Sequence, residues 1–268
     1  MNISNYSNNI ANIYNNNRKP IGLNIIIEAI NKYTNKSKQD IKILDCGCGT
    51  GNYTDYLIKE GYYVISIDQN KSMLECLKNK NLKNNEIYEV DIKKKLPFDN
   101  NYFDVIIINQ VLHHLNDNTS EFIHHKNLFK EFDRIIKPNG LFSLNTCSLE
   151  NYIYGYWWTC YMLNETMEYC KKYCPHNIIC NILENNNFTY TYKICKEPFI
   201  GEQYYNKNLI FNNNIRSMDT SWKYVNDTKY EEICNNIKNL GDSFDIFFKE
   251  RLDLLDIYGQ SVFYICIS

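Results

Sequence analysis

Apolar and polar positions along this chain switch between two periods. Residues 23–33 carry apolar side chains at helical spacing, whereas residues 41–46 form a short β-branched and apolar run that ends at Gly47, as a strand buried on both faces does. The rhythm repeats with a helix over 53–59, a strand over 62–68, a helix over 71–78, a short strand over 86–90 and the most hydrophobic strand over 103–109. A helix over 122–136 then meets the stop signal Lys137-Pro138-Asn139-Gly140, and a strand follows over 141–147. Strands alternating with helices predict a parallel sheet covered on both faces, and right-handed crossovers narrow this to a doubly wound α/β fold.

Over 152–173 the rhythm breaks. Tyr152, Tyr154, Tyr156, Trp157, Trp158, Tyr161 and Met162 crowd a helical stretch that is apolar on several sides and must be covered. A helix over 177–185, a strand over 188–194, one helical stretch over 230–255 and a last strand over 261–267 complete a seven-stranded, mostly parallel sheet. The expected organisation is a single domain over residues 1–268. Residues 1–40 form a lid and helix, 41–147 the ligand-binding core, and 148–268 an aromatic-rich cap insertion with the completion of the sheet.

Composition narrows the function. A formal charge of −2 over 268 residues gives no global basic field, which argues against nucleic acid or an anionic membrane as partner. No run of about 18 apolar residues exists to span a bilayer, and the opening Met1-Asn2-Ile3-Ser4 lacks a signal-peptide pattern. Eleven cysteines scattered through the predicted elements fit reduced thiols, so a cytoplasmic protein is expected. Asparagine runs such as 15–17, 185–187 and 212–214 read as loops.

The informative chemistry lies at Ile43-Leu44-Asp45-Cys46-Gly47-Cys48-Gly49-Thr50-Gly51-Asn52, where a hydrophobic strand runs into three alternating glycines and then a helix. Glycine removes the Cβ where backbone turns tightly and approaches a ligand. A dinucleotide site wants its third glycine or alanine three positions after the second, where this chain has Asn52, so NAD is disfavoured. Asp45 points the same way: a pyrophosphate sits on helix-terminus amides without a carboxylate alongside, whereas a cationic ligand suits one. Asp68, seventeen residues after Gly51 at the end of the next strand, offers only acceptor lone pairs, which suits two ribose hydroxyls. S-adenosyl-L-methionine, with its ammonium, sulfonium and ribose, answers both carboxylates.

These residues resemble the class I S-adenosylmethionine-dependent methyltransferases, especially the small-molecule and quinone-biosynthesis-like subgroup, over roughly residues 11–147. The resemblance implies a Rossmann-like fold with S-adenosyl-L-methionine as cofactor. It implies that Asp45, Gly47, Gly49 and Gly51 hold the methionine part, that Asp68 with Gln69 beside it holds the ribose, and that Met73 lies against adenine. Asp91 and the backbone amide of Ile92 would read the adenine edge. Leu96-Pro97-Phe98-Asp99 through Phe103-Asp104 resembles the family's entry to the fourth strand, and Asn109-Gln110-Val111-Leu112-His113-His114 resembles its exit, with Asn109 counted in the cofactor set. Upstream, Ala11, Tyr14, Arg18 and Pro20 resemble the subgroup's lid, although Asn15 stands where the family has an acid. On that pattern Arg18 forks onto the cofactor carboxylate and Tyr14 closes over the methyl group.

Methyl transfer from a sulfonium is an in-line displacement with an activated leaving group, and alignment in a dry site can supply ~7–11 kcal/mol. A base is needed only for an acidic hydroxyl, thiol or ammonium acceptor; His113, His114 and Tyr14 are the candidates, against the plain alternative of histidines packed under the sheet edge. Tyr156, Trp157, Arg216 and Trp222 are expected to close over a small organic acceptor, against the alternative of cap core. Cys170, Cys174, His176 and Cys180 match no standard zinc spacing and read as an amphipathic helix stopped by Pro175, with no metal expected. Two other functions stay open: methylation of a tRNA base, and a cofactor-binding scaffold without turnover. The oligomeric state is not legible.

Overall fold

The computed structural model describes residues 8–115 and 121–268. Helices α1 (Asn8–Asn17) and α2 (Leu23–Tyr33) lead into an alternation of β1 (Lys42–Cys46), α3 (Asn52–Lys59), β2 (Tyr63–Asp68), α4 (Lys71–Lys78), β3 (Asn85–Glu89) and β4 (Phe103–Asn109). After α5 (Ile123–Ile135) and β5 (Ile136–Thr146) come the cap helices α6 (Leu149–Gly155) and α7 (Leu163–Cys170), then α8 (His176–Asn185) and β6 (Thr189–Cys195). The chain ends with α9 (Asn213–Met218), α10 (Asp227–Leu240), α11 (Phe244–Tyr258) and β7 (Ser261–Ile267).

All seven strands share one sheet in the order β3-β2-β1-β4-β5-β7-β6. The first five pair in parallel, and β7 lies antiparallel between β5 and β6. From β1 the chain builds outward through β2 and β3, then returns to lay β4 and β5 on the other side. The crevice at the carboxyl ends of β1 and β4 is where such sheets take ligands.

Successive residues of the inner strands serve opposite cores. Ile43, Val64, Val105 and Ile107 pack with α2 and Leu57 of α3, whereas Leu44, Ile65, Ile106 and Ile108 pack with Leu128, Phe129 and Phe132 of α5 and Ile182 of α8. Burial on both sides is why these strands read as unbroken apolar runs.

Three expectations are redrawn. Ile136 already pairs with Phe103 and Leu141 with Val105, so residues 137–140 bulge out of β5 instead of preceding it. Asn139 takes a positive φ of 61° in that bulge. The stretch over 230–255 is two helices, because Gly241 at φ 48° and ψ −124° ends α10 in a conformation open to few other residues. Residues 152–173 divide into α6, a 3-10 turn at Thr159–Tyr161 and α7.

The cap is tied to the sheet at the turn before β7. Asn151 Nδ2 donates to the Tyr258 carbonyl at 2.7 Å, and a Cβ on Gly155 would lie 2.1 Å from the Gly259 carbonyl oxygen. Among the described residues no helix is long and apolar enough to cross a membrane.

Candidate active site

The loop after β1 is anchored from below. Gly47 and Cys48 both donate their N–H groups to the Ile67 carbonyl, at 2.8 and 2.9 Å, and Gly49 donates to Asp68 Oδ2 at 2.9 Å. The glycines do different jobs. A Cβ on Gly47 would fall 2.4 Å from Val111 Cγ2, and one on Gly51 would fall 2.2 Å from Leu77 Cδ1, so both make room for the protein itself. Beyond Gly49 nothing lies within 4 Å, and its bare backbone faces the cavity. Close approach to a ligand therefore belongs to Gly49.

Asp45, on β1 beside Ser66 of β2, is buried and accepts from the Thr54 hydroxyl of α3 at 2.7 Å; that hydroxyl also meets Ser66 Oγ at 2.8 Å. Burial, with added repulsion from Asp68, pushes the Asp45 carboxyl up to about 7 in spite of the Thr54 bond. A carboxylate in this state gains most from a cation brought beside it. Asp68 accepts from the N–H groups of Gly49 and Asn70, at 2.9 and 2.8 Å, while burial raises its pKa. Gln69, Met73, Asp91 and Ile92 continue the same wall, with Asp91 Oδ1 accepting from the Lys93 N–H at 3.0 Å.

Across the crevice, Asn109 ends β4 with both amide atoms buried and without a hydrogen-bond partner. His113 and His114 follow in a 3-10 turn, their rings 3.9 Å apart, with His113 also 4.8 Å from the ring of Tyr173. Burial, then His114, Lys172 and Arg18, hold the His113 imidazole well below its ordinary range, and burial with Lys172 takes His114 down to about 4. Both rings are neutral at neutral pH, and His113 Nδ1 is buried without a partner. The lid joins this site: Arg18 lies over the rings of Tyr14 and Phe199, at 5.7 and 4.9 Å, and its carbonyl accepts from Asn52 Nδ2 at 2.7 Å. Asn52, where a dinucleotide fold wants a small residue, thus ties the lid to the end of the glycine loop, and the Tyr53 hydroxyl beside it bonds the N–H and carbonyl of Ile21.

The cavity wall also contains Tyr152, Tyr156, Tyr169, Tyr173, Phe199 and Thr220. Tyr156 stacks on Tyr152 at 4.8 Å. Of the residues expected to close over an acceptor, the cavity includes Tyr156 but not Trp157, Arg216 or Trp222. Trp157 is fully buried in the cap, donating to the Tyr204 carbonyl at 3.0 Å and packed edge-on against Trp158 and Phe244. Arg216 is held 4.0 Å over the Tyr230 ring and donates to the Ile210 carbonyl at 2.7 Å. Trp222 lines a separate small recess behind Arg18 and Tyr156. Thr50, Thr54, Tyr169, Tyr173, Phe199 and Thr220 escaped sequence reasoning. Of these only Tyr169 and Tyr173 carried a signal, being four residues apart on one helical face.

Cys170 and Cys174 pack into opposite cores, and His176 Nδ1 is hydrogen-bonded to the Tyr264 hydroxyl at 2.5 Å. Among the described residues no group of three or more His, Cys, Asp or Glu is placed to hold a metal ion.

A doubly wound sheet with a glycine loop and acids at successive strand ends is the framework of an α/β protein that binds an adenosyl cofactor. The cradle fits that group: Thr50 Oγ1, the Asn109 amide and His113 Nδ1 are buried at its wall without partners, and the space over Gly49 is open. A family model described as a methyltransferase domain matches residues 44–144. The chain is 28% identical over 225 residues to a ubiquinone biosynthesis O-methyltransferase of Pelagibacter ubique (strain HTCC1062), covering 81% of this chain and 82% of the relative. It is 33% identical over 178 residues to the protein of that name from Rickettsia bellii (strain OSU 85-389), covering 63% and 69%. The fold matches a putative methyltransferase from an antibiotic biosynthesis pathway of Anabaena variabilis ATCC 29413 with a TM-score of 0.71, at 17% identity over 94% of this chain and 99% of that one. It also matches a Haemonchus contortus phosphoethanolamine N-methyltransferase 2 in complex with S-adenosyl-L-methionine, with a TM-score of 0.56 at 16% identity over 99% and 58%.

The chain belongs to the class I S-adenosylmethionine-dependent methyltransferases, in the group of the ubiquinone-biosynthesis O-methyltransferases. It is an enzyme, and its cofactor is S-adenosyl-L-methionine.

Proposed function

We propose that this enzyme transfers a methyl group to a small organic acceptor by in-line displacement, with residues 1–268 working as one catalytic unit. The observation that carries the reading is one cavity with two unlike walls, the acids and glycine loop on one side and Tyr152, Tyr156, Tyr169 and Tyr173 on the other. When bound, S-adenosyl-L-methionine supplies a methyl carbon on a positively charged sulfur.

The chain's own part is to hold, align and exclude water. Asp45 takes the ammonium, Gly49 admits the methionine backbone, Asp68 accepts from the ribose, and Met73, Asp91 and Ile92 enclose the adenine. Arg18 pairs with the cofactor carboxylate, and Tyr14 closes the lid side. His113 and His114, both neutral, are the groups able to take a proton from an acidic acceptor, with His113 Nδ1 the better placed because no protein atom occupies it. The names of the relatives support a hydroxyl acceptor and do not favour tRNA modification or a silent scaffold. Eleven free cysteines support action in a reducing compartment such as the cytoplasm.

Calorimetric titration with S-adenosylmethionine, S-adenosylhomocysteine and NAD tests the reading. Binding of the two adenosyl ligands alone is expected; binding of neither would overturn it.

A further inference from the structure

The acceptor wall carries a chemistry that methyl transfer by itself does not require. The hydroxyls of Tyr152, Tyr169 and Tyr173 converge, 3.1 Å apart between Tyr152 and Tyr173 and 3.3 Å apart for the other two pairs. The Thr220 hydroxyl lies 2.9 Å from that of Tyr169. The three tyrosines are buried, and all four residues line the cavity. Hydroxyl pairs favour about 2.7–2.8 Å, so these phenols hold one another's protons loosely, and a stronger acceptor placed against the triad collects them. Burial raises the pKa of each of the three phenols, so all remain donors.

Charge decides which acceptor fits. The carboxylates that line the cavity, Asp45, Asp68 and Asp91, all lie at the ends of β1, β2 and β3. The tyrosine wall is flanked by cations instead: Arg18 lines the cavity beside it, and Lys172 lies 4.5 Å over the Tyr169 ring. Their field reaches inside, since both contribute to holding down the His113 imidazole. Asp219, which lines the recess behind Arg18 and Tyr156, also acts on Tyr152, Tyr169, Arg18 and Lys172 and offsets part of that field from outside the cavity. With Arg18 pairing to the cofactor carboxylate, an ammonium group brought to this wall would meet neutral imidazoles and the Lys172 charge behind Tyr169, whereas an anion meets hydroxyl donors and the field of that one cation.

We infer that the Tyr152, Tyr169, Tyr173 and Thr220 hydroxyls bind an oxyanionic group, a phosphate or a carboxylate, carried by the methyl acceptor. The inference rests on the methyltransferase reading of the cavity and adds the charge of the acceptor to it.

The full-length protein saturated with S-adenosylhomocysteine is titrated calorimetrically with inorganic phosphate, benzoate, phenol and tetramethylammonium. One of the two anions is expected to bind at least about tenfold more tightly than phenol or tetramethylammonium, as charge-assisted bonds are stronger than neutral ones. Tyr169→Phe and Tyr173→Phe keep the rings and remove one hydroxyl each, so each is expected to weaken the anion by roughly fivefold to tenfold, with S-adenosylhomocysteine affinity unchanged. Phosphate ahead of benzoate identifies a phosphate group, and the reverse order a carboxylate. Unaltered anion affinity in both variants, or phenol or tetramethylammonium binding as tightly as both anions, overturns this inference alone. Failure of the wild-type protein to bind S-adenosylhomocysteine overturns the methyltransferase reading along with it.

Discussion

The two walls of the cavity are built in different ways. The cofactor wall takes Asp45, Gly49, Asp68 and Asp91 from the ends of neighbouring parallel strands, so short stretches of sequence place each group. The tyrosine wall draws Tyr152 and Tyr156 from α6, Tyr169 and Tyr173 from α7 and its end, Phe199 from the loop after β6, and Thr220 from a 3-10 turn. The first wall is set by backbone and the second by packing, so mutations in the two should fail differently.

The largest expected effect separates cap packing from chemistry. Trp157→Ala should cost about 3–5 kcal/mol of stability, as for other buried aromatic side chains, while the cofactor affinity of the remaining folded protein is retained. Chemical denaturation beside calorimetry checks this, and a cofactor-binding defect at full stability would return Trp157 to the site.

Gly49→Arg comes next. It should weaken S-adenosylmethionine by a hundredfold or more, ~3 kcal/mol, while destabilising the fold by only about 1–2 kcal/mol, because nothing lies within 4 Å of a Cβ there and the cost is mainly that of φ 55°. Gly51→Ala should reverse that balance, since its Cβ would lie 2.2 Å from Leu77 Cδ1. Equal cofactor affinity in wild type and Gly49→Arg would break the assignment of that wall.

A pH effect sharpens the comparison. Buried beside Asp68, the Asp45 carboxyl keeps its proton to about pH 7 in the folded protein, against 3.8 for a free side chain. The folded state then binds more protons than the unfolded one across this window, so the free enzyme should lose stability as pH rises from about 4 to about 7. Cofactor affinity should run the other way, climbing by up to about tenfold per unit as pH rises towards 7 and levelling above it, because the ammonium binds the ionised form. Asp45→Asn should flatten both curves; affinity independent of pH between 6 and 8 in the wild type would remove the ammonium from Asp45.

Smallest of all is Arg216→Ala. It gives up bonds to the Ile210 carbonyl, the Tyr230 hydroxyl and Asn213 Oδ1 and a ring contact, none of them on the cavity wall, so about 1 kcal/mol of stability and less than about a twofold change in acceptor KM are expected. A tenfold rise in KM at unchanged stability would place Arg216 back over the acceptor.

Much of the cofactor wall was legible because its constraints are local. Residues 43–52 spell a two-sided strand, a turn that only small residues make and a helix start, and each step follows from backbone sterics and from burial on both faces. The same sequence reading missed Thr54, whose hydroxyl reaches Asp45 only because α3 folds back along β1 and β2.

Tyr156 and Trp157 show the limit most clearly. They are adjacent, both aromatic and both buried, yet one lines the cavity and the other fills the cap. Composition marked the segment as needing cover; which side chain turned inward depended on where α11 and the Gly155–Gly259 contact set the end of α6. The bulge at residues 137–140 and the break at Gly241 were likewise decided by sheet pairing and helix ends. Sequence by itself determined the strand–loop–helix unit, the acids at its strand ends and the family, because those depend on contacts within a few residues. The tyrosine wall was decided only by tertiary structure, because its hydroxyls meet across elements up to 51 positions apart, as those of Tyr169 and Thr220 do, and no local pattern records that distance.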